Sequence, residues 1–132
     1  MPVDFPESHL DLLEEETRAF AVLATVMPDG TPQATPIWFD IIEGDIHFNT
    51  ARGRVKEKNM LTRPEVALVI LDPHDPYRYM QVRGAVEETE VEAREHIDSL
   101  AGKYTGTADF KGADGQVRVK YRLRLRAVQV SG

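Results

Sequence analysis

The 132-residue sequence contains no cysteine. Disulfides, thiolate metal centres and cysteine nucleophiles are therefore excluded. Serine is scarce as well, confined to Ser8, Ser99 and Ser131. None of them sits in the Gly-x-Ser-x-Gly turn of a serine hydrolase, and no catalytic acid, base or nucleophile can be assigned. Positive charge is not in excess: the formal net charge is -6, so no bulk field would steer a nucleic acid to the protein. No apolar run approaches membrane-spanning length. The acidic N-terminus, interrupted by Pro2 and Pro6, has no signal-peptide core. The expectation is a cytoplasmic protein without nucleic-acid or membrane partners. The Gly-x-Gly-x-x-Gly dinucleotide fingerprint is missing too. What remains is an ordinary globular balance, 42% hydrophobic and 29% charged, at a length that suits one domain over residues 1–132.

Turn signals divide the chain. Ser8 after Pro6 reads as the N-cap of a short amphipathic helix carrying Leu10, Leu12 and Leu13. A strand over 19–27 ends at Pro28-Asp29-Gly30, a strong hairpin signal. The return strand over 31–40 holds Pro32 and Pro36, which cannot donate to a ladder, so it belongs at an edge or carries a bulge. A strand over 46–50 follows, then a helix over 54–62 stopped by Pro64. Residues 66–71 are apolar on both faces and read as a central strand. After a proline-bounded loop comes a long strand over 77–88, a helix over 91–104 with Ile97, Leu100 and Ala101 inward, and a Gly-rich loop over 105–115.

In the last strand Val117, Val119, Tyr121, Leu123 and Leu125 alternate with Arg118, Lys120, Arg122, Arg124 and Arg126. That is the pattern of a half-buried strand. Its basic face reads as edge protection, with Arg118, nearest the Gly-rich loop, the best candidate for a binding role. About six strands in hairpin order with few helices predict a mainly β fold, a small antiparallel barrel.

Asn49-Thr50-Ala51-Arg52-Gly53-Arg54-Val55-Lys56 is the most informative stretch. It concentrates cations where a strand hands over to a helix, the electrostatically wrong end for them unless an anion binds there. Thr50 offers a hydroxyl, Gly53 close backbone approach, and Arg54 and Lys56 charge-assisted hydrogen bonds. A phosphate site is the sharp reading and a solvated basic helix start the bland one. Trp38 fits either core or pocket wall. Tyr77-Arg78-Tyr79 fits ring stacking, phosphate pairing or plain strand-end packing. His74 between Asp72 and Asp75, and Glu92 with His96, read as a solvated loop and a surface helix pair; no metal site is expected.

Several of these segments occur together in a known order: Ala24-Thr25, Pro28 to Gln33, Pro36-Ile37-Trp38-Phe39, Asn49 to Lys56 with Asn59, Arg63-Pro64, Leu71-Asp72-Pro73, Pro76 to Tyr79 and Val82-Arg83-Gly84. The chain resembles the pyridoxamine-phosphate-oxidase-like split-barrel superfamily, and within it the deazaflavin (coenzyme F-420)-dependent reductases. The resemblance implies an FMN-binding type of split barrel, a homodimer with a flavin-type cofactor between subunits. It implies phosphate binding by Thr50, Arg54 and Lys56, and a ring lying along Gln33, Pro36, Ile37 and Trp38. Asn49, Ala51, Val55 and Asn59 join the implied cofactor set with Arg118, and Tyr77, Arg78 and Tyr79 approach from the interface. Coenzyme F-420 is favoured and FMN is the alternative. The longer C-terminal segment that grips pyridoxal in true pyridoxamine-phosphate oxidases is missing after Ser131-Gly132, so vitamin B6 oxidation is not expected. The implied activity is hydride transfer to a small organic substrate; the alternative is a flavin- or deazaflavin-binding carrier without turnover.

Overall fold

The computed structural model describes residues 4–112 and 115–132. Seven strands form one antiparallel sheet: β1 (Phe20–Val26), β2 (Pro32–Ile37), β3 (Phe39–Ile42), β4 (Asp45–Ala51), β5 (Glu65–Asp72), β6 (Asp75–Thr89) and β7 (Arg118–Ser131), in the spatial order β2-β1-β5-β6-β7-β4-β3. Helix α1 (Val55–Thr62) joins β4 to β5, and α2 (Ala93–Thr105) joins β6 to β7. Strands β2 and β3 occupy opposite edges of the sheet, yet only Trp38 separates them in sequence. A chain can leave one edge and enter the other within one residue only if the sheet curls back on itself. The fold is therefore a barrel split between β2 and β3.

Seven strands replace the expected six because residues 31–40 break in two at Trp38. The prolines stay at the edge: Pro32 and Pro36 lie on β2, which pairs only with β1. The hairpin between them is closed by Asp29, whose Oδ1 accepts from Thr31 N (3.0 Å) and Thr31 Oγ1 (2.6 Å), with Gly30 at φ 88°. The barrel is filled by alternate residues, among them Leu23, Phe39, Phe48, Leu68, Ile70, Met80 and Leu123, all buried. Tyr121 stacks on Phe48 at 5.1 Å between ring centroids.

The edge placement expected for the last strand is corrected: β7 lies inside the sheet, between β6 and β4. Its outward Arg122, Arg124 and Arg126 are matched by acids on β4, β5 and β6 instead of guarding an edge. Arg122 pairs with Asp45 and Glu87, Arg124 with Glu87, and Arg126 with Glu65. The opening helix is a 3-10 segment, Glu7–Leu13, preceded by Pro6 with no side-chain cap. Ser8, expected as that cap, instead hydrogen-bonds His9 Nδ1 at 2.7 Å. His96, expected on a surface, is buried with Ile97, Leu100 and Ala101. The Gly-rich loop is described only in part, since residues 113 and 114 lie outside the described set.

Asn59 fixes α1 to the barrel. It is buried, donates to Thr25 Oγ1 at 3.0 Å and accepts from Arg63 Nη2 at 3.3 Å, while Thr25 donates onward to Gln33 Oε1 at 2.9 Å. Asn59→Ala strands these partners in the interior. It is expected to cost about 1–3 kcal/mol of stability, read from the urea midpoint at unchanged slope.

Candidate functional site

Where β4 ends and α1 begins, the chain turns through Gly53 at φ 94°. Arg54 occupies the N-cap in extended conformation and supplies no side-chain cap. The first-turn N–H groups of such a helix lack intrahelical acceptors. Glu57 does not fill that role from within the turn; its carboxylate accepts Gly53 N at 2.8 Å and holds Arg52 at 3.1 Å. Arg52 is further bound by Glu88 (2.8 Å) and Glu90 (3.1 Å). That cation is consumed by carboxylates and leaves the anion-binding set.

Arg54 and Lys56 face an open cleft of about 240 Å³ lined also by Phe20, Pro36, Ile37, Trp38, Asn49, Thr50, Ile97, Leu100, Phe110 and Arg118. Strand pairing brings Arg118 there, since β7 sets it opposite Ala51 and Val119 opposite Thr50. Three cations thus line a cleft to which, among the described residues, no carboxylate contributes. Burial and mutual repulsion disfavour the charged forms of two of them. Burial first, then Arg54 and Arg118, holds Lys56 below the ordinary lysine value. Burial, then Arg54 and Arg94, pushes Arg118 down to about 10. Lys56 Nζ donates only to Thr35 Oγ1, at 3.2 Å, among the described residues. A bound anion would relieve all three charges at once.

The other side of the cleft is flat and apolar. Trp38 stacks on Tyr104 (5.3 Å, 9°) and meets Phe110 edge-on at 6.0 Å. Tyr104 is anchored by donating its hydroxyl to Ala19 O at 2.6 Å. Phe110 in turn lies 5.1 Å from the Arg118 guanidinium carbon, a cation–π contact. The arrangement can hold a phosphate at one end and a planar ring at the other.

Of the residues singled out from sequence, Pro36, Ile37, Trp38, Asn49, Thr50, Arg54, Lys56 and Arg118 come together in this cleft. Gln33, Ala51, Val55 and Asn59 do not line it; Gln33 and Asn59 serve the Thr25 hydrogen-bond set instead. Tyr77, Arg78 and Tyr79 lie outside it within one chain. Arg78 is engaged by Asp11 (2.6 Å) and Asp72 (3.0 Å), while Tyr77 is 84% exposed. Phe20, Ile97, Leu100 and Phe110 line the cleft without having been foreseen. An aromatic residue within a polar Gly-rich loop was the available signal for Phe110.

A larger cleft, about 530 Å³, lies on the other side of α2, lined by Glu15, Asp40, Glu92, Glu95, His96 and Lys103 among others. Its acidic lining is the wrong sign for phosphate. Among the described residues no group of three or more His, Asp or Glu side chains is placed to hold a metal ion, and no helix is long and apolar enough to cross a membrane.

A family model described as pyridoxamine 5'-phosphate oxidase matches residues 5–131. The chain belongs to this family. Solved structures of the pyridoxamine 5'-phosphate oxidase-like fold agree with the split barrel derived above. One named an F-420 reductase is 35% identical, with a TM-score of 0.83 over 95% of this chain and 98% of that one. A conserved hypothetical protein of Mycobacterium tuberculosis is 24% identical, with a TM-score of 0.75 over 98% of this chain and 86% of that one; at that identity the likeness concerns the fold. No curated protein matches the chain.

Proposed function

We propose that the cleft binds coenzyme F-420, with FMN as the alternative, and that the protein is an oxidoreductase passing hydride to a small organic substrate. The observation that carries this reading is the convergence of Arg54, Lys56 and Arg118 on one cleft, with no carboxylate among its described lining residues. The named F-420 reductase, similar over nearly the whole of both chains, favours the deazaflavin. These residues fit such a group: the cations and the Thr50 hydroxyl would hold its phosphate, and Trp38 and Phe110 would flank its ring. The bound cofactor supplies the hydride chemistry. The chain contributes binding and orientation, and the described lining of the cleft holds no His, Asp or Glu; solvent could supply a proton that the substrate requires.

A homodimer is part of the same reading. Phe20, Val55 and Val117, at or beside the cleft, are large apolar side chains left exposed in one chain. A second copy would cover them and bring Tyr77 to Tyr79 toward the cofactor. Two measurements test the proposal. Fluorescence titration with coenzyme F-420 and FMN should show saturable binding, and single-turnover oxidation of the reduced complex by quinones and enones should follow. Binding with silence across the substrate panel would leave a carrier; failure of both cofactors to bind at tens of micromolar would end the reading. Inorganic phosphate is expected to raise the melting temperature in a concentration-dependent way, and chloride at equal ionic strength is not.

A further inference from the structure

A buried chain of hydrogen bonds crosses α2 from the cation cleft to the acidic one. Arg118 Nε donates to Asn49 Oδ1 at 2.9 Å. Asn49 Nδ2 meets Ala93 O at 2.8 Å and His96 Nδ1 at 3.1 Å. His96 Nε2 meets Asp40 Oδ1 at 2.9 Å. Arg118 is 8% exposed, Asn49 8% and His96 5%.

Chemistry fixes the direction of every link. Arginine only donates, so the Asn49 atom facing Arg118 is the carbonyl oxygen. The amide nitrogen then faces His96, whose Nδ1 must accept. The imidazole proton consequently sits on Nε2 and points at the Asp40 carboxylate. A side-chain amide does not relay protons, so the chain is no proton wire. What it transmits is orientation.

The receiver of that orientation is Arg118. Its Nε is committed to Asn49, its Nη1 donates to Gln116 Oε1 at 2.8 Å, and its guanidinium lies over Phe110. Nη2 has no hydrogen-bond partner among the described residues, and the side chain lines the cleft. A long side chain anchored in advance surrenders less rotamer freedom when an anion arrives. We propose that His96, with Asp40 behind it, is a positioning residue of the cation cleft. Acting through Asn49, the pair holds Arg118 aimed at the bound anion. The inference rests on the reading that this cleft takes the cofactor's phosphate.

The test is a double-mutant cycle with a second, ligand-free readout. Wild type, His96→Phe, Arg118→Met and the double variant are titrated with coenzyme F-420 and FMN. His96→Phe is expected to weaken binding about five- to tenfold in the wild-type background and less than about twofold once Arg118 is gone. In the ligand-free protein, wild type is expected to show a slowly exchanging Arg118 Nε–H resonance, and His96→Phe is expected to lose it. His96→Asn, which retains a side-chain oxygen near the Nδ1 position, should recover most of both signals. If His96→Phe fails to fold, His96→Asn and Asp40→Ala carry the test, with Asp40→Ala expected to lose about two- to threefold. An equal loss with and without Arg118 would mean a merely structural histidine and overturn the proposal, as would an unchanged Nε–H resonance. Should neither cofactor bind wild type, the phosphate reading fails while the resonance still decides the positioning role.

Discussion

Lys56→Ala is expected to weaken cofactor binding by about ten- to a hundred-and-fiftyfold, the loss of one charge-assisted contact worth about 1.5–3 kcal/mol, without destabilising the unliganded protein. Most lysines in a fold would not combine these two effects. In this cleft Lys56 is half-buried beside two other cations, with Thr35 Oγ1 its one hydrogen-bond partner among the described residues. Its ammonium is held below the ordinary lysine value, so the native state releases the proton at a lower pH than the unfolded chain. Between those two values the unfolded chain binds more protons, and stability rises with pH. Below the window the native state carries the full penalty of the buried charge. Alanine removes that penalty. The unliganded variant should therefore melt at or above wild type at pH 7, and the gap should close as pH climbs through the lowered range. Fluorescence titration and pH-dependent melting check both halves. A destabilised variant with undiminished affinity would make Lys56 scaffold, tied to Thr35 and nothing more.

The same electrostatics explain what could be read from the chain in advance. Thr50, Arg54 and Lys56 are contiguous, so a strand followed by a helix start suffices to place them together. Arg118 is sixty-odd positions away by numbering, yet its alternating strand and its place beside the Gly-rich loop made it a candidate. The fate of Arg52 was not legible, because Glu88 at the far end of β6 and Glu90 just beyond it neutralise the guanidinium. The bend at Trp38 was hidden for a different reason. Apolar and proline residues run on without a turn signal, and only the closure of the sheet forces the break. The interior place of β7 likewise depends on which strands pair at long range, which alternation of side chains cannot reveal. Periodicity identified the inward stripe of α2, but not that Ile97 and Leu100 also face the cleft while His96 reaches through to Asp40. Residues that serve two neighbours read from sequence as serving one.

Gly84→Ala is expected to be the most damaging single methyl in the molecule. Gly84 lies on β6 where the register against β7 shifts, pairing with Leu125 just after Arg83 pairs with Ala127. A Cβ built there would stand 2.1 Å from the backbone oxygen of Arg124 and 3.0 Å from its carbonyl carbon. No rotamer change relieves this contact, because the opposing atoms are main chain. The two strands would have to separate, and they form the longest pairing in the sheet, with β7 supporting β4 on its other side. Overpacking against backbone is expected to cost about 3 kcal/mol or more, a fall in melting temperature on the order of 10 °C for a domain of this size. The β7 segment that faces β4 at Thr50 and Ala51 is displaced with it, so the surviving folded fraction should also bind phosphate more weakly as Arg118 loses its seat. Gly30→Ala provides the contrast: that turn glycine has open space around its would-be Cβ and only its positive φ to satisfy, for a cost of about 1 kcal/mol. A Gly84→Ala protein melting within 2–3 °C of wild type, about 1 kcal/mol at this size, would show that β6 and β7 do not approach each other as closely as the bulge at Arg83 requires.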